Sequence, residues 1–84
     1  MSFRIIEVPH NQSYEYKICR TIRRIVFVKE QNVTEEIEFD EFEDEAVHYL
    51  VYCGQTPVAT GRYRIAGKYV KLERFAVLRH FRGT

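Results

Sequence analysis

At 84 residues, with 45% hydrophobic and 30% charged positions, the chain has room for one small globular domain and no more. No apolar run approaches the roughly 20 residues that span a bilayer, and the opening residues lack the apolar core of a signal peptide, so a cytoplasmic location without membrane contact is expected. A net charge of +1 argues neither for nor against nucleic acid, and no nucleic-acid partner is expected.

In chain order, residues 3–8 are rich in β-formers and Pro9 ends them, which predicts a first strand. Asn11, Gln12 and Ser13 then offer short polar side chains able to accept the free N–H groups of a helix start. Behind them Tyr14, Ile18, Ile22 and Ile25 recur at helical spacing, with Cys19 and Val26 widening the stripe. Lys17, Arg20, Arg23 and Arg24 fall on the other side, so the segment reads as an amphipathic helix lying on a sheet. Val26-Phe27-Val28 prolongs the apolar run and residues 29–32 break it.

Eight of the eleven residues 35–45 are acidic, with Ile37, Phe39 and Phe42 embedded among them. This reads as a solvated loop with a short helical turn, its apolar members anchoring it to the body. Residues 47–53, 57–65 and 69–78 are dense in β-formers, and Gly54-Gln55 and Ala66-Gly67-Lys68 supply tight connections between them. Pro57 stands at the beginning of its strand, where a missing donor is tolerated. The expected class is therefore α+β: strand, helix, acidic loop, then three antiparallel strands joined by hairpins. The last strand would lie at a sheet edge, open to another element or to a second copy of the chain, so a homodimer through that edge is expected.

Charge is unevenly spread. Arg62, Arg64, Lys68, Lys71, Arg74, Arg79 and Arg82 face the single acid Glu73, a balance that suits a polyanionic ligand such as a phosphate-bearing cofactor. Cys19 and Cys53, and His10, His48 and His80, show no metal or redox spacing, and no metal site is expected.

Several pieces then combine. Residues 23–33 (Arg-Arg-Ile-Val-Phe-Val-Lys-Glu-Gln-Asn-Val), 38–44, Ala46, His48, 57–64 (Pro-Val-Ala-Thr-Gly-Arg-Tyr-Arg), 71–78 (Lys-Leu-Glu-Arg-Phe-Ala-Val-Leu) and 82–84 (Arg-Gly-Thr) appear in that order. Together they resemble the N-terminal half of GNAT-superfamily N-acetyltransferases, particularly small bacterial members with a Val-Phe-Val-x-Glu-Gln segment. The resemblance implies half of an acyl-CoA N-acyltransferase fold, with acetyl-CoA as co-substrate and an amine as acceptor. It implies a bulged fourth strand, here Tyr69 to Leu78 with the bulge near Ala76-Val77-Leu78, on which backbone groups of Phe75, Ala76, Val77 and Leu78 hold the pantetheine arm. A backbone amide there stabilises the oxyanion, an effect worth roughly 3–4 kcal/mol.

The same resemblance makes Arg82 the first position of a pyrophosphate-cradling loop, with Gly83 and Thr84 as spacers and the chain stopping just inside the loop. It makes Glu73 a proton acceptor, against the plainer alternative of a glutamate salt-bridged to Arg62, Arg64 or Arg74. It places Phe27, Glu30 and Gln31 along the acceptor site. The acidic loop is a further candidate for attracting a cationic amine, although an ordinary solvated loop explains it more simply. Such an 84-residue product is expected to be incomplete, inactive alone and a weak binder of acetyl-CoA.

Two alternatives stay open. The region also resembles acyl-homoserine-lactone synthases through Arg23 and Phe27, the acids Glu38, Asp40 and Asp44, and Arg62 or Arg64, but their usual tryptophan is absent. A non-catalytic truncated domain associating through its edge strand is the other.

Overall fold

The three β-rich runs form a meander in the computed structural model, which describes residues 2–9 and 12–82. Strands β1 (Phe3–Glu7), β2 (Val47–Cys53), β3 (Thr56–Ala66) and β4 (Tyr69–Val77) make one antiparallel sheet in the order β1-β2-β3-β4. Gly54 and Gly67 turn the two hairpins at φ near 60°, a region that side chains with a Cβ enter at a cost. β4 ends the sheet with β3 as its hydrogen-bonded neighbour. Its position at an edge follows the sequence reading.

Helix α1 (Tyr14–Arg23) starts at Ser13, whose hydroxyl oxygen accepts from the Tyr16 amide at 3.2 Å. The helix does not stop where the apolar run does. It continues as a π-helical stretch (Arg24–Glu30) that runs into residues 29–32, where the apolar run breaks. The true stop is Asn32, which takes a left-handed φ of 59° that asparagine tolerates. The Val33 amide then reaches back to the Phe27 carbonyl at 2.9 Å, a closure one residue wider than an ordinary Schellman turn. A short helix α2 (Glu35–Glu38), capped by Thr34, opens the acidic segment.

The buried stripe of α1 also differs from the expected one. Tyr16, Cys19, Ile22 and Val26 pack with Val8, Leu50 and Ala76 to form the core, and Arg23 lies among them at 1% exposure. Tyr14, expected in the stripe, is 75% exposed. Position decides this: the spacing 16, 19, 23, 26 is as helical as 14, 18, 22, 25, and Arg23 is tolerated inside because carboxylates wait there.

The two faces of the sheet are unlike. Leu50, Val58, Thr60, Arg62 and Ala76 are buried on the side that carries α1. Alternation then places Ile5, Val51, Ala59, Phe75 and Val77 on the opposite side. Ile5, Ile65, Leu72 and Phe75 are each more than 60% exposed. Among the described residues no helix is long and apolar enough to cross a membrane.

Candidate active site

The ladder between β3 and β4 is interrupted once. Thr60 pairs with Ala76 and Arg62 with Glu73, so Arg74 and Phe75 together oppose the single residue Gly61. Arg74 takes φ +60°, the left-handed state that bulges of this kind normally give to glycine. The bulge therefore lies at Arg74-Phe75 rather than near Ala76-Val77-Leu78, where the sequence reading put it. Ala76 is buried in regular pairing, and Leu78 has left the strand to precede a 3-10 turn (Arg79–Phe81). Gly61 explains the place: a Cβ there would sit 2.8 Å from the Phe75 ring, so the ring lies over a position only glycine leaves open. Phe75 and Val77, with Ile5, Val51 and Gly61, line an open apolar depression of about 310 Å³.

Arg82 folds back along the outer edge of β4. Its Nε donates to the Val77 carbonyl at 2.8 Å, and its Nη2 pairs with Glu30 Oε1 at 2.7 Å. Glu30 ends the π-helical stretch, so that stretch and the end of β4 meet through this contact. Phe27 is half-buried against the core and Gln31 is the exposed cap of the same stretch. The structure thus brings Glu30 to Arg82. Gly83 and Thr84 lie outside the described residues.

Glu73 is held by two guanidinium groups. Its Oε1 accepts from Arg62 Nη2 at 2.7 Å and from Arg64 Nε at 2.9 Å. Burial raises its pKa, but the bonds from Arg62 and Arg64 outweigh this and hold the carboxyl below its usual range. The salt-bridged alternative of the sequence reading is what the geometry contains.

Beneath α1 lies an ionic network that sequence reasoning missed. Arg23 Nε pairs with Glu38 at 2.7 Å and its Nη1 with Glu43 at 2.6 Å, while Arg62 reaches Glu43, Asp40 and Glu73 within 2.9 Å. Tyr16 donates to Glu43 at 2.6 Å, and His48 Nε2 donates to the Glu43 carbonyl at 3.0 Å, because a carbonyl only accepts. The acidic segment is therefore no solvated loop: Glu38 and Glu43 are buried and Asp40 is ion-paired. Phe39 lies beneath Arg20, Arg23 and Arg24, and Arg64 sits 3.8 Å above Phe42, so these two rings anchor the segment. Ile37, also expected to anchor it, is exposed.

Two carboxyls share Arg23 yet shift in opposite directions. Burial pushes both up, and for Glu38 it prevails over Arg23 and Arg74. Glu43 ends below its usual range because bonds from Arg23 and Tyr16 favour its charged form. Burial lowers the His48 pKa ahead of the opposing pull of Glu43, keeping the ring neutral. Of the residues behind the expected likeness to acyl-homoserine-lactone synthases, Arg23, Glu38, Asp40 and Arg62 belong to this network, Arg64 joins its margin through Glu73, and Asp44 is exposed.

Comparison with known proteins follows the same line. No family model matches the chain. The uncharacterized N-acetyltransferase YjcF of Bacillus subtilis is 52% identical over 63 residues, covering 75% of this chain and 45% of that protein. The uncharacterized protein YyaT of the same bacterium is 50% identical over 64 residues, covering 73% and 43%. A crystal structure of a protein from Lactobacillus plantarum, provisionally named an N-acetyltransferase, matches with a TM-score of 0.81 at 21% identity, over 99% of this chain and 57% of that one. By sequence the chain is related to proteins named N-acetyltransferases, and its sheet and helix form half of an acyl-CoA N-acyltransferase fold. It spans a little under half the length of the curated relatives it matches.

Proposed function

We propose that this chain supplies the donor strand and part of the acceptor wall of an enzyme that moves an acetyl group from acetyl-CoA to an amine. The observation that carries the reading is the bulge at Arg74-Phe75 on a strand whose outer edge is free of a neighbouring strand among the described residues. A bulge breaks the ladder and turns main-chain groups outward, which is what an amide-bearing pantetheine arm needs. Arg82, at the end of that strand, has guanidinium N–H groups beyond the two it uses, and these suit a phosphate oxygen.

In this reading the amine nitrogen attacks the thioester carbonyl, a C–N bond forms, the C–S bond breaks, and the thiolate leaves with the electron pair. An acceptor amine that arrives as an ammonium must lose a proton before its nitrogen can attack. Glu73 is the candidate acceptor through an intervening water; Arg62 and Arg64 keep it ionised and thereby weaken its basicity. Phe27, Glu30 and Gln31 form the acceptor side, with Glu30 freed when a phosphate draws Arg82 away. Arg82, Gly83 and Thr84 begin the cradle for the pyrophosphate.

Calorimetric titration tests this. Acetyl-CoA is expected to bind, and Arg82→Ala to weaken it by about tenfold, the worth of one charge-assisted contact. Binding of S-adenosylmethionine in place of acetyl-CoA would move the chain to the lactone-synthase reading. The free β4 edge, with Tyr69, Val70 and Leu72 exposed, also favours association of two copies along it. A monodisperse monomer by light scattering at high concentration would remove that part.

A further inference from the structure

The left-handed residue of the bulge does more than bend β4. Because the bulge adds one residue, Glu73 and Arg74 both send their side chains to the α1 side of the sheet, where regular alternation would have sent Arg74 to the apolar side. There Arg74 reaches the C-terminal end of α2. Its Nη2 donates to the Ile37 carbonyl at 3.1 Å and to Asp40 Oδ2 at 2.9 Å, and its Nε donates to the Glu38 carbonyl at 3.2 Å. A short helix leaves these carbonyls without partners inside the helix, and a cation is favoured beside them; the Glu38 carbonyl also accepts from Arg23 Nη2 at 2.8 Å. Asp40 in turn accepts from Arg62, whose other contacts are Glu43 and Glu73.

We infer that Arg74 is a positioning residue that couples the acidic segment 37–46 to the bulge of β4, so that the segment and the proposed donor strand order together. The inference rests on the proposed reading for its meaning in the reaction, but the clamp itself is independent of it. An arginine in the left-handed state is costly where glycine is free, and a flat fork with five donors is what spans three acceptors. The strained backbone and the three-point contact are explained together: only the bulged conformation aims this side chain at α2.

Glycine substitution separates the two parts. Arg74→Gly suits the φ of the bulge and deletes the clamp, whereas Arg74→Ala deletes the clamp and keeps the Cβ strain of the bulge with nothing left to hold it. Hydrogen exchange is followed at the Phe39, Glu43 and Ala46 amides, bonded to the Glu35, Asp40 and Phe42 carbonyls, and at the Leu78 amide, bonded to Val58. In Arg74→Gly the first three are expected to exchange about tenfold faster while Leu78 keeps its wild-type rate. In Arg74→Ala Leu78 quickens as well. Arg74→Lys, a point charge unable to span three acceptors, gives an intermediate rate and carries the test if the glycine variant does not fold.

A second arm reads the coupling. Acetyl-CoA is expected to slow exchange in β4 and in 37–46 of the wild type, but in β4 alone of Arg74→Gly. Wild-type exchange in 37–46 of the ligand-free variants, or protection of that segment by acetyl-CoA in Arg74→Gly, overturns the inference. If acetyl-CoA protects nothing in the wild type, the donor-site reading fails, and the ligand-free comparison still decides the clamp.

Discussion

The two faces of the sheet invert the usual rule. The face under α1 buries Arg23, Arg62, Glu38 and Glu43, each at 7% exposure or less, while the other face leaves Ile5, Ile65, Leu72 and Phe75 mostly in water. Burying four charged groups is costly, and their mutual attraction offsets the cost only because nearly every lone pair and N–H has a partner. The lesson is about specificity. A chain that must join a helix, an acidic segment and two strands in one register does so with directional groups on one face, and the apolar face contributes little to that choice.

Removing a charge from the network is the severest way to break this contrast. Arg62→Met leaves Asp40, Glu43 and Glu73 without their shared cation and is expected to cost about 3–5 kcal/mol in urea unfolding, enough to unfold much of a small domain. A loss under about 1 kcal/mol would mean the network is dispensable.

Acid probes the same groups without mutation. Burial raises Asp40, Glu43 and Glu73, but guanidinium bonds prevail and leave all three below their ordinary range. Their folded pKa is depressed, so the stability they contribute is present above the unfolded values near 4 and is lost as pH falls through the lower folded values. Glu38, raised by burial, has the opposite sign and partly offsets this as it protonates. His48, lowered by burial, adds an earlier decline: the unfolded ring takes a proton below about pH 6.5 and the folded one does not. Stability measured by urea titration should therefore begin to fall near pH 6.5 and steepen below about 4. His48→Gln should remove the first part only.

Smaller effects fall at the bulge and on the bare face. Gly61→Ala pushes a Cβ against the Phe75 ring and is expected to cost about 1 kcal/mol, restored in part by Phe75→Ala. Leu72→Lys, on the exposed face, should change stability by less than about 0.5 kcal/mol. A larger loss would show that this face is covered in solution.

The order of elements and the edge position of β4 were legible because strand runs and glycine turns are local signals. The buried network was not. Periodicity counts apolar residues, so Arg23 at the spacing Tyr16, Cys19, Arg23, Val26 was assigned to the solvent side, and an acid-rich run looked solvated. One signal was available: two arginines within helix and strand stripes, with nine acids between them in sequence, leave charge to be paired inside. The bulge was displaced by two residues because Ala76-Val77 alternates regularly, whereas Gly61, which fixes the place, lies on the neighbouring strand. The place where the π-helical extension of α1 stops depends on one asparagine in a left-handed conformation, which composition does not reveal.

Amide chemical-shift mapping with acetyl-CoA addresses the donor strand most directly. Perturbations are expected to centre on Arg74, Phe75, Val77 and Leu78, with the Arg82 side chain shifting as its bond to Val77 and its pair with Glu30 open. Perturbations absent from β4, or gathered on β1 and α1 instead, would contradict the account.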